Sequence, residues 1–166
     1  LLLKNDIVRA RTALNKLSAY LRQTLTNETS TSLSISQELS LCQKYLELEQ
    51  VRFKDKLDLN WQVPEELPDF EFPHGILQPL LENALKHGGL SQSEHTQVDV
   101  KLTYDEEVLL LSVGNPILEN SSSIKGFGLG LKNTKERLYR FFGDKAQFNT
   151  QLKTNYFVAE LRVNLT

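Results

Sequence analysis

The chain has 166 residues, 40% of them hydrophobic and 24% charged, which fits one ordinary domain with a small accessory element. Its formal net charge of −2 disfavours nucleic acid as a partner, because domains that bind nucleic acid usually carry a basic surface. No segment approaches the roughly 20 apolar residues of a membrane-spanning helix. Because the chain contains no methionine and begins at Leu1, we expect it to be part of a longer protein whose upstream region is missing.

A single cysteine, Cys42, stands among helix-forming residues. It excludes an intrachain disulfide, and it is predicted to be a small buried residue rather than a reactive thiol. A reducing compartment fits this cysteine content best.

The first third of the chain is predicted to form two helices joined by a short polar loop. In the first helix, apolar residues recur in alternating steps of four and three, which is typical of helices that pair along a seam. This seam comprises Leu3, Ile7, Ala10, Leu14, Leu17 and Leu21. After "TNETSTS", Ser34 and Gln37 form a candidate capping box for the second helix. The seam of the second helix comprises Leu39, Cys42, Leu46 and Phe53, with Glu49 as its polar exception.

A helical hairpin of this kind buries only part of its own apolar surface. We therefore predict a homodimer through residues 1–55, in which two hairpins form a four-helix bundle. The alternative is that both helices pack onto the domain that follows.

Residues 56–166 are predicted to form that second domain, with a boundary between residues 55 and 70. "LDLNWQV" alternates like a strand, and "PEELPDF" is rich in turn residues. "TQVDVKLTY" with "VLLLSVG", and "AQFNTQLK" with "YFVAELRVN", predict two antiparallel hairpins. Between them, a helix from about Leu129 to Phe142 should end at Gly143. This alternation predicts an α+β fold rather than a doubly wound parallel sheet.

The segment "LLENALKHG", from Leu80 to Gly88, combines helix-forming leucines with polar chemistry. At helical spacing Asn83, Lys86 and His87 share one face, whereas the leucines supply the packing. This helix is therefore predicted to be attached to a core and open to a ligand.

Gly126, Gly128 and Gly130 lie at the start of the next helix, where backbone N–H groups and the positive helix end can face an anion. Their spacing fits neither a Walker A nor a Rossmann phosphate motif. Lys132 and Asn133 lie close enough to the glycines for phosphate contact. The alternative for this helix is a solvated face formed by Lys132, Lys135, Glu136 and Arg137.

Together, "LLENALKHG", a hairpin ending in "VGNP", a polar loop and "GFGLGLKNTKERL" resemble the ATP-binding domain of the GHKL superfamily of histidine kinases, gyrase, Hsp90 and MutL. The preceding "LSAYLRQTL", "SISQELSLCQKYLELEQVRF" and "ILQPLLENALKHG" are similar to the LytS-like sensor histidine kinases, in which a dimerisation hairpin precedes such a domain. The resemblance implies a two-layer α/β sandwich of the GHKL (Bergerat) type, with ATP and Mg²⁺ as cofactors.

By this resemblance, Asn83 matches the amide that coordinates Mg²⁺ between the nucleotide phosphates, and Mg²⁺ prefers such oxygen ligands. Lys86 and His87 match positions that contact phosphates and ribose. Glu82 would lie near the γ-phosphate and, with Lys86, is a candidate catalytic residue, although a solvated carboxylate is the alternative for it. The remaining nucleotide contacts implied are Asn115, Gly126, Gly128, Leu129, Gly130, Lys132 and Asn133.

The adenine-binding segment departs from the family pattern. It usually contains Asp-x-Gly-x-Gly, whereas this chain has "GNPIL", with Asn115 in the Asp position and Pro116 after it. Asn115 keeps an acceptor oxygen but loses the assistance of a charge, so we expect weaker or altered nucleotide affinity. Residues Ile117 to Lys125 should form the ATP lid.

Two further departures concern the chemistry. Pro79 stands where gyrase-like members have a catalytic Glu, one helical turn before Asn83, so efficient ATP hydrolysis is not expected. The histidines are His74, His87 and His95, and none lies on the predicted hairpin, so the phosphoacceptor is expected upstream of Leu1. His74 follows Pro73 and is predicted to be a partly exposed residue of the turn before a helix.

The leading hypothesis is the cytoplasmic catalytic part of a membrane-anchored bacterial sensor kinase. It would transfer the γ-phosphoryl group of ATP to an upstream histidine and then to the receiver domain of a response regulator. The chain alone should not phosphorylate itself, and it should contact a membrane only through its missing upstream region. One alternative is an anti-sigma-factor-type serine kinase, against which the hairpin argues. Another is a degenerate nucleotide-binding dimer scaffold, suggested by Asn115 and the missing glycines.

Overall fold

The computed structural model describes residues 2–27, 31–88, 95–117 and 129–166. Its helices are α1 (Leu2–Asn27), α2 (Ile35–Phe53), α3 (Leu77–His87) and α4 (Leu129–Phe142). Its strands are β1 (Ser32–Ser34), β2 (Leu57–Gln62), β3 (Glu71–Pro73), β4 (Thr96–Tyr104), β5 (Val108–Pro116), β6 (Ala146–Lys153) and β7 (Tyr156–Asn164). Among these described helices, none has both the length and the hydropathy that a bilayer-spanning segment needs.

A five-stranded sheet in the order β2-β4-β5-β7-β6 forms one layer of the fold. β2 runs parallel to β4, whereas the other neighbouring pairs are antiparallel, including the two predicted hairpins. Alternate residues of the central strands, such as Val100, Leu111 and Leu161, are buried in one core with apolar residues of α2, α3 and α4. The predicted α+β fold with two layers is therefore confirmed.

Helix α2 begins at the predicted capping box. The hydroxyl of Ser34 accepts a hydrogen bond from the Gln37 backbone N–H at 3.2 Å, and Gln37 Oε1 accepts one from the Ser34 N–H at 3.0 Å. Leu39, Cys42 and Leu46 on the apolar face of α2 are buried against the sheet and α3. For α2, the alternative that the helix packs onto the following domain is therefore correct, and the division at residue 55 stays a prediction.

A short antiparallel ladder between β1 and β3 was not predicted. Leu33 lies opposite Phe72 in this ladder, and both side chains are buried. Beside it, the backbone N–H of Ile35 donates to the carbonyl of Phe70 at 3.0 Å. The ladder thus attaches the start of α2 to the segment that leads into α3.

Helix α1 contacts α2 with polar and aromatic residues and turns its predicted seam outwards. Lys16 Nζ lies 2.6 Å from Glu47 Oε2, and the ring centroids of Tyr20 and Tyr45 are 6.1 Å apart. On the opposite side, Leu14 is 65% exposed. Other large apolar side chains that the structure describes as exposed on α1 are those of Ile7, Val8, Leu17, Leu21 and Leu25. The alternative that the helix packs onto the following domain does not account for this exposed stripe.

Two local predictions are confirmed as well. Cys42 is a buried free cysteine, and burial, together with the nearby charge of Glu38, raises the pKa of its thiol well above the usual value. Helix α4 ends at Phe142 as predicted, and Gly143 follows it with a φ of +59°, in the left-handed region that glycine adopts without a steric penalty.

Candidate functional site

Helix α3 carries four of the residues that the sequence assigns to a site, Glu82, Asn83, Lys86 and His87. Its buried residues are Leu77, Leu80, Leu81, Ala84, Leu85 and His87. Asn83 is half-buried and Lys86 is exposed. The helix is thus attached to the core by its leucines, and its polar residues extend from the core to solvent, as predicted.

His87 is only 4% exposed, and this burial determines its charge. Burial lowers the pKa of His87 below its ordinary value of 6.5, and the neighbouring charge of Lys86 lowers it further. At neutral pH the imidazole is therefore uncharged and offers one hydrogen-bond donor and one acceptor. Such a ring suits a sugar hydroxyl better than it suits a phosphate.

Asn115 is fully buried near the end of β5, with 0% of its surface exposed. Its Nδ2 donates to the carbonyl of Pro116 at 2.8 Å, which fixes the orientation of the amide. Its Oδ1 has no hydrogen-bond partner among the residues described. Because a buried acceptor without a donor is unfavourable, this oxygen marks a place where a ligand could supply the donor.

The start of α4 lies beside the start of α3. Gly130 and Asn133 line a cavity of about 330 Å³ together with Pro79, the residue one helical turn before Asn83. A Cβ added at Gly130 would meet nothing within 4 Å, so this position leaves space at the helix start. The structure thus brings two residues of the predicted glycine segment close to α3.

For the other predicted residues of this glycine segment, the structure says less about a role in the site. Leu129 is the first residue of α4, and Lys132 is exposed with its Nζ 4.0 Å from Glu136 Oε1. Gly126 and Gly128 lie outside the described residues. The same holds for the predicted lid except Ile117.

Glu82 is exposed, and two successive hydrogen bonds connect its carboxylate to helix α1. Its Oε1 accepts from Gln78 Nε2 at 2.8 Å, and Gln78 Oε1 accepts from the hydroxyl of Tyr20 in α1 at 3.1 Å. The described contacts therefore connect Glu82 to α1. A catalytic role for Glu82 stays a prediction.

Helix α3 has no N-terminal cap of its own, because Ile76 at the N-cap makes no side-chain hydrogen bond and Pro79 has no N–H. The cap comes from Glu38 of α2, which is 1% exposed. Its Oε1 accepts from the N–H groups of Ile76 at 2.9 Å and Leu77 at 3.0 Å, and its Oε2 from that of Gly75 at 3.0 Å. Sequence reasoning missed Glu38, and the only signal was the missing cap residue before Leu77.

The interpretation of the α4 face as purely solvated is wrong for Arg137. Its guanidinium donates to the carbonyl of Gly75, with Nη1 at 3.3 Å, and to that of His74. His74 is a partly exposed residue of this turn, as predicted, and its Nδ1 lies 3.4 Å from Glu38 Oε2. We call residues His74 to Leu77 the α3 turn. Glu38 binds its N–H groups and Arg137 binds its carbonyls.

Comparison with known proteins shows what the chain is similar to. A family model described as Histidine kinase matches residues 1–57. The chain is 32% identical to Sensor protein LytS of Bacillus anthracis, over 93% of this chain and 28% of that protein. It is 30% identical to Sensor protein LytS of Oceanobacillus iheyensis, over 90% of this chain and 28% of that protein. Over about nine tenths of its length, the chain is therefore similar to one segment of these LytS sensor proteins. This LytS-like chain thus spans little more than a quarter of the length of these relatives.

Solved structures agree with this similarity at the level of the fold. The catalytic domain of histidine kinase ThkA matches the LytS-like chain with a TM-score of 0.58 and 16% identity, over 81% of this chain and 94% of that domain. ThkA in complex with response regulator protein TrrA matches with a TM-score of 0.55 and 16% identity, over 99% of this chain and 52% of that one. Full-length ShkA in complex with AMPPNP matches with a TM-score of 0.54 and 17% identity, over 92% of this chain and 35% of that one. The fold of the LytS-like chain is that of histidine kinase catalytic domains.

Proposed function

We propose that this chain is the catalytic part of a sensor histidine kinase, which binds Mg-ATP and provides its γ-phosphoryl group to a histidine. The observation that carries the proposal is the buried, unpartnered Oδ1 of Asn115 in a fold shared with histidine kinase catalytic domains. The exocyclic amino group of adenine is a hydrogen-bond donor of the kind that this oxygen lacks. A nucleotide base bound there would remove the cost of leaving the acceptor unpaired.

The residues of α3 fit the rest of a nucleotide. The half-buried amide of Asn83 would contribute an oxygen ligand to Mg²⁺, which prefers oxygen ligands and keeps several waters. The exposed ammonium of Lys86 would attract the phosphates, and the neutral ring of His87 would bind a ribose hydroxyl. When bound, Mg²⁺ would offset the negative charge of the phosphates.

The start of α4 would complete the phosphate site. Backbone N–H groups from Gly126 to Gly130 would face the phosphates, with further contacts from Lys132 and Asn133. Such a site promotes phosphoryl transfer by positioning and charge stabilisation rather than by covalent chemistry. Because Pro79 has no side-chain base at the position where gyrase-like relatives of the fold have a catalytic Glu, we propose that hydrolysis by water is slow.

The phosphoacceptor and the partner follow from the same proposal. His74, His87 and His95 all lie outside α1 and α2, so we place the acceptor histidine upstream of Leu1 in the longer protein. The likeness to ThkA, which has been solved with the response regulator TrrA, supports a receiver domain as the next acceptor. This catalytic part would act in the cytoplasm, where ATP is available, and any membrane anchor would belong to the rest of the protein.

A homodimer through residues 1–55 is also part of the proposal. Its support is the exposed apolar stripe of α1, which includes Leu14 and Leu17. A groove of about 540 Å³ lies between α1 and α2, with apolar residues such as Ala10, Ala13 and Leu48 in its lining and charged residues such as Arg9 and Arg52 beside them. The corresponding helices of a second copy would cover both features and form a four-helix bundle.

Titration calorimetry with AMPPNP and Mg²⁺ tests the proposed function. Saturable binding that is lost when Asn115 is replaced by leucine, while the protein stays folded, is the expected result. Absence of binding would contradict the proposal and favour the degenerate scaffold. Phosphorylation of a serine substrate would instead favour the serine kinase.

A further inference from the structure

The α3 turn is held from two sides by residues of different helices. Glu38 of α2 binds three of its N–H groups, and Arg137 of α4 binds two of its carbonyls. Gly75 within the turn has a φ of +69°, and a Cβ there would lie 3.5 Å from Arg137 Nη1. A residue with a side chain would therefore be strained by this backbone conformation, although its Cβ would only make an ordinary contact with the guanidinium.

The α3 turn is not easily separated from Glu38, because the carboxylate of Glu38 is buried where the two meet. A buried charge is tolerated only when hydrogen bonds and opposite charge compensate for the lost water. Here the compensation comes from the N–H groups of Gly75, Ile76 and Leu77 and from the positive end of the α3 dipole. If α2 moved relative to α3, this carboxylate would lose its partners without gaining water.

The turn also lies close to the proposed nucleotide site along the chain. Asn83 follows Leu77 by less than two helical turns, a distance of about 9 Å along the axis. A shift or rotation of the first turn of α3 is therefore transmitted to Asn83 and His87. Arg137 lies on α4 and itself lines the cavity beside Pro79, to which the start of α4 contributes Gly130 and Asn133.

We propose that Glu38 and Arg137 are positioning residues, which clamp the α3 turn between α2 and α4 and so set the placement of Asn83 and His87. This inference rests on the proposed function, because its effect is exerted on the nucleotide site. It also gives the dimerisation hairpin a route to that site, since Glu38 belongs to α2. By linkage, nucleotide binding stabilises the clamp as much as the clamp favours nucleotide binding.

Single and double variants test the clamp. Glu38→Gln removes the charge with little change in shape, and Arg137→Met removes the donors of an exposed side chain. Each is expected to weaken Mg-AMPPNP binding by about fivefold or more, in the range of typical coupling between sites. Because both act through one turn, the double variant should lose less than the product of the two single effects. Arg137→Lys keeps a donor and should bind more tightly than Arg137→Met.

Matched controls separate positioning from general destabilisation. Glu47→Gln changes a carboxylate of α2 that pairs with Lys16, and Lys135→Met changes an exposed cation of α4 that makes no hydrogen bond to the α3 turn among the residues described. Both should bind Mg-AMPPNP like the parent. Hydrogen exchange should show that Mg-AMPPNP protects the amides of Gly75, Ile76 and Leu77 in the parent and protects them less in Glu38→Gln.

The outcomes for the clamp and for the proposed function can be told apart. A parent that does not bind Mg-AMPPNP would contradict the proposed function. A parent that binds, with folded Glu38→Gln and Arg137→Met variants of unchanged affinity, would overturn the positioning role alone. Multiplicative effects in the double variant would also overturn it, because they would show that the two residues act independently.

Discussion

The Nδ2 of Asn115 donates to the carbonyl of Pro116 at 2.8 Å, and this bond leaves Oδ1 of the same amide as a buried, unpaired acceptor. In Asn115→Asp this donor is replaced by an oxygen that faces the Pro116 carbonyl. We expect the ionised variant to be less stable than the parent by about 2–4 kcal/mol, because a buried carboxylate would lack partners.

The same variant should show a characteristic pH dependence. Burial raises the pKa of an introduced carboxyl above its unfolded value, so the folded state binds more protons than the unfolded state. The stability of Asn115→Asp should therefore fall as the pH rises from 4.5 to 8, relative to the parent. Thermal unfolding across this range measures the effect, and parallel curves for variant and parent would contradict the burial of an uncompensated charge.

Asn83→Ala should weaken Mg-AMPPNP binding while leaving the fold intact. The amide oxygen is the ligand that α3 is proposed to give to Mg²⁺, and losses at metal sites typically reach about tenfold or more. Calorimetry in the presence and absence of Mg²⁺ measures this loss, with Asn60→Ala on the exposed side of β2 as the control. Equal affinity for Asn83→Ala and the parent would mean that the metal-binding role is assigned to the wrong residue.

Dimerisation should depend on Leu14 and Leu17 in a version of the chain extended upstream by a full helix. Each leucine contributes about 1.5–3 kcal/mol when it is buried, and each substitution acts twice in a two-fold dimer. The double Leu14→Ala and Leu17→Ala variant should dissociate at concentrations where the parent is dimeric. Because Leu14 is 65% exposed, its truncation should leave the stability of the monomer nearly unchanged.

Light scattering with a concentration series measures this dissociation. Thr12→Ala, on another side of α1, is the matched control and should remain dimeric. A monomeric extended parent at high concentration would rule out the dimer.

The chain should bind ATP without phosphorylating itself. The proposed nucleotide contacts lie on α3, β5 and α4, whereas none of His74, His87 and His95 lies on the hairpin helices. His87 is buried beside the proposed Mg²⁺ ligand, where in-line attack on the γ-phosphorus is geometrically unsuitable. An upstream-extended partner that contains the acceptor histidine should become labelled in mixed dimers.

Incubation with γ-labelled ATP, followed by acid treatment, measures which chain is phosphorylated and on which type of residue. Phosphohistidine is acid-labile and phosphoserine is not. Acid-stable label on the chain alone would favour the serine kinase, and acid-labile label would show that one of its own histidines is an acceptor.

Acid should destabilise the protein partly through His87. Its pKa in the folded state lies below the unfolded value of 6.5, so the unfolded state binds more protons near that pH. The contribution of His87 to stability is therefore complete above pH 6.5 and is lost as the pH falls below it, with a slope no steeper than about 1.4 kcal/mol per pH unit. Thermal unfolding of the parent and of His87→Gln between pH 5 and 8 isolates this slope, which should be smaller in the variant.

The sequence predicted the elements whose side chains repeat over several residues. Helices α1 to α4 and both hairpins carry clear periods, and the capping box of Ser34 and Gln37 marks the start of α2. β1 was missed because three residues are too short to show an alternation, and its pairing with β3 is a long-range contact. The seam pattern alone could not show whether a helix packs onto the following domain or onto a second copy of the chain. Leu39 of α2 is buried in the domain core, whereas Leu14 of α1, which shares the pattern, is exposed.

The site was predictable where one residue type has one chemistry, and less so where a role depends on a distant contact. Asn83 and His87 were recognised on α3 from their spacing and from family resemblance. Glu38 looks like an ordinary first-turn acid of α2, and Arg137 looks like a surface cation. Their hydrogen bonds to the α3 turn form only when three helices are brought together.

The β1–β3 ladder has a consequence for how the parts of this protein could be exchanged. Helix α2 is fastened at its first residues by that ladder and at its last residues by a tight turn into β2, so it cannot be replaced without rebuilding the sheet domain. Helix α1 contacts the remainder along one face, through side chains that include Lys16, Tyr20 and Gln23. A sensor domain from another protein should therefore be joined between the two helices. A new α1 sequence would need to preserve only these contacts and the outward apolar stripe.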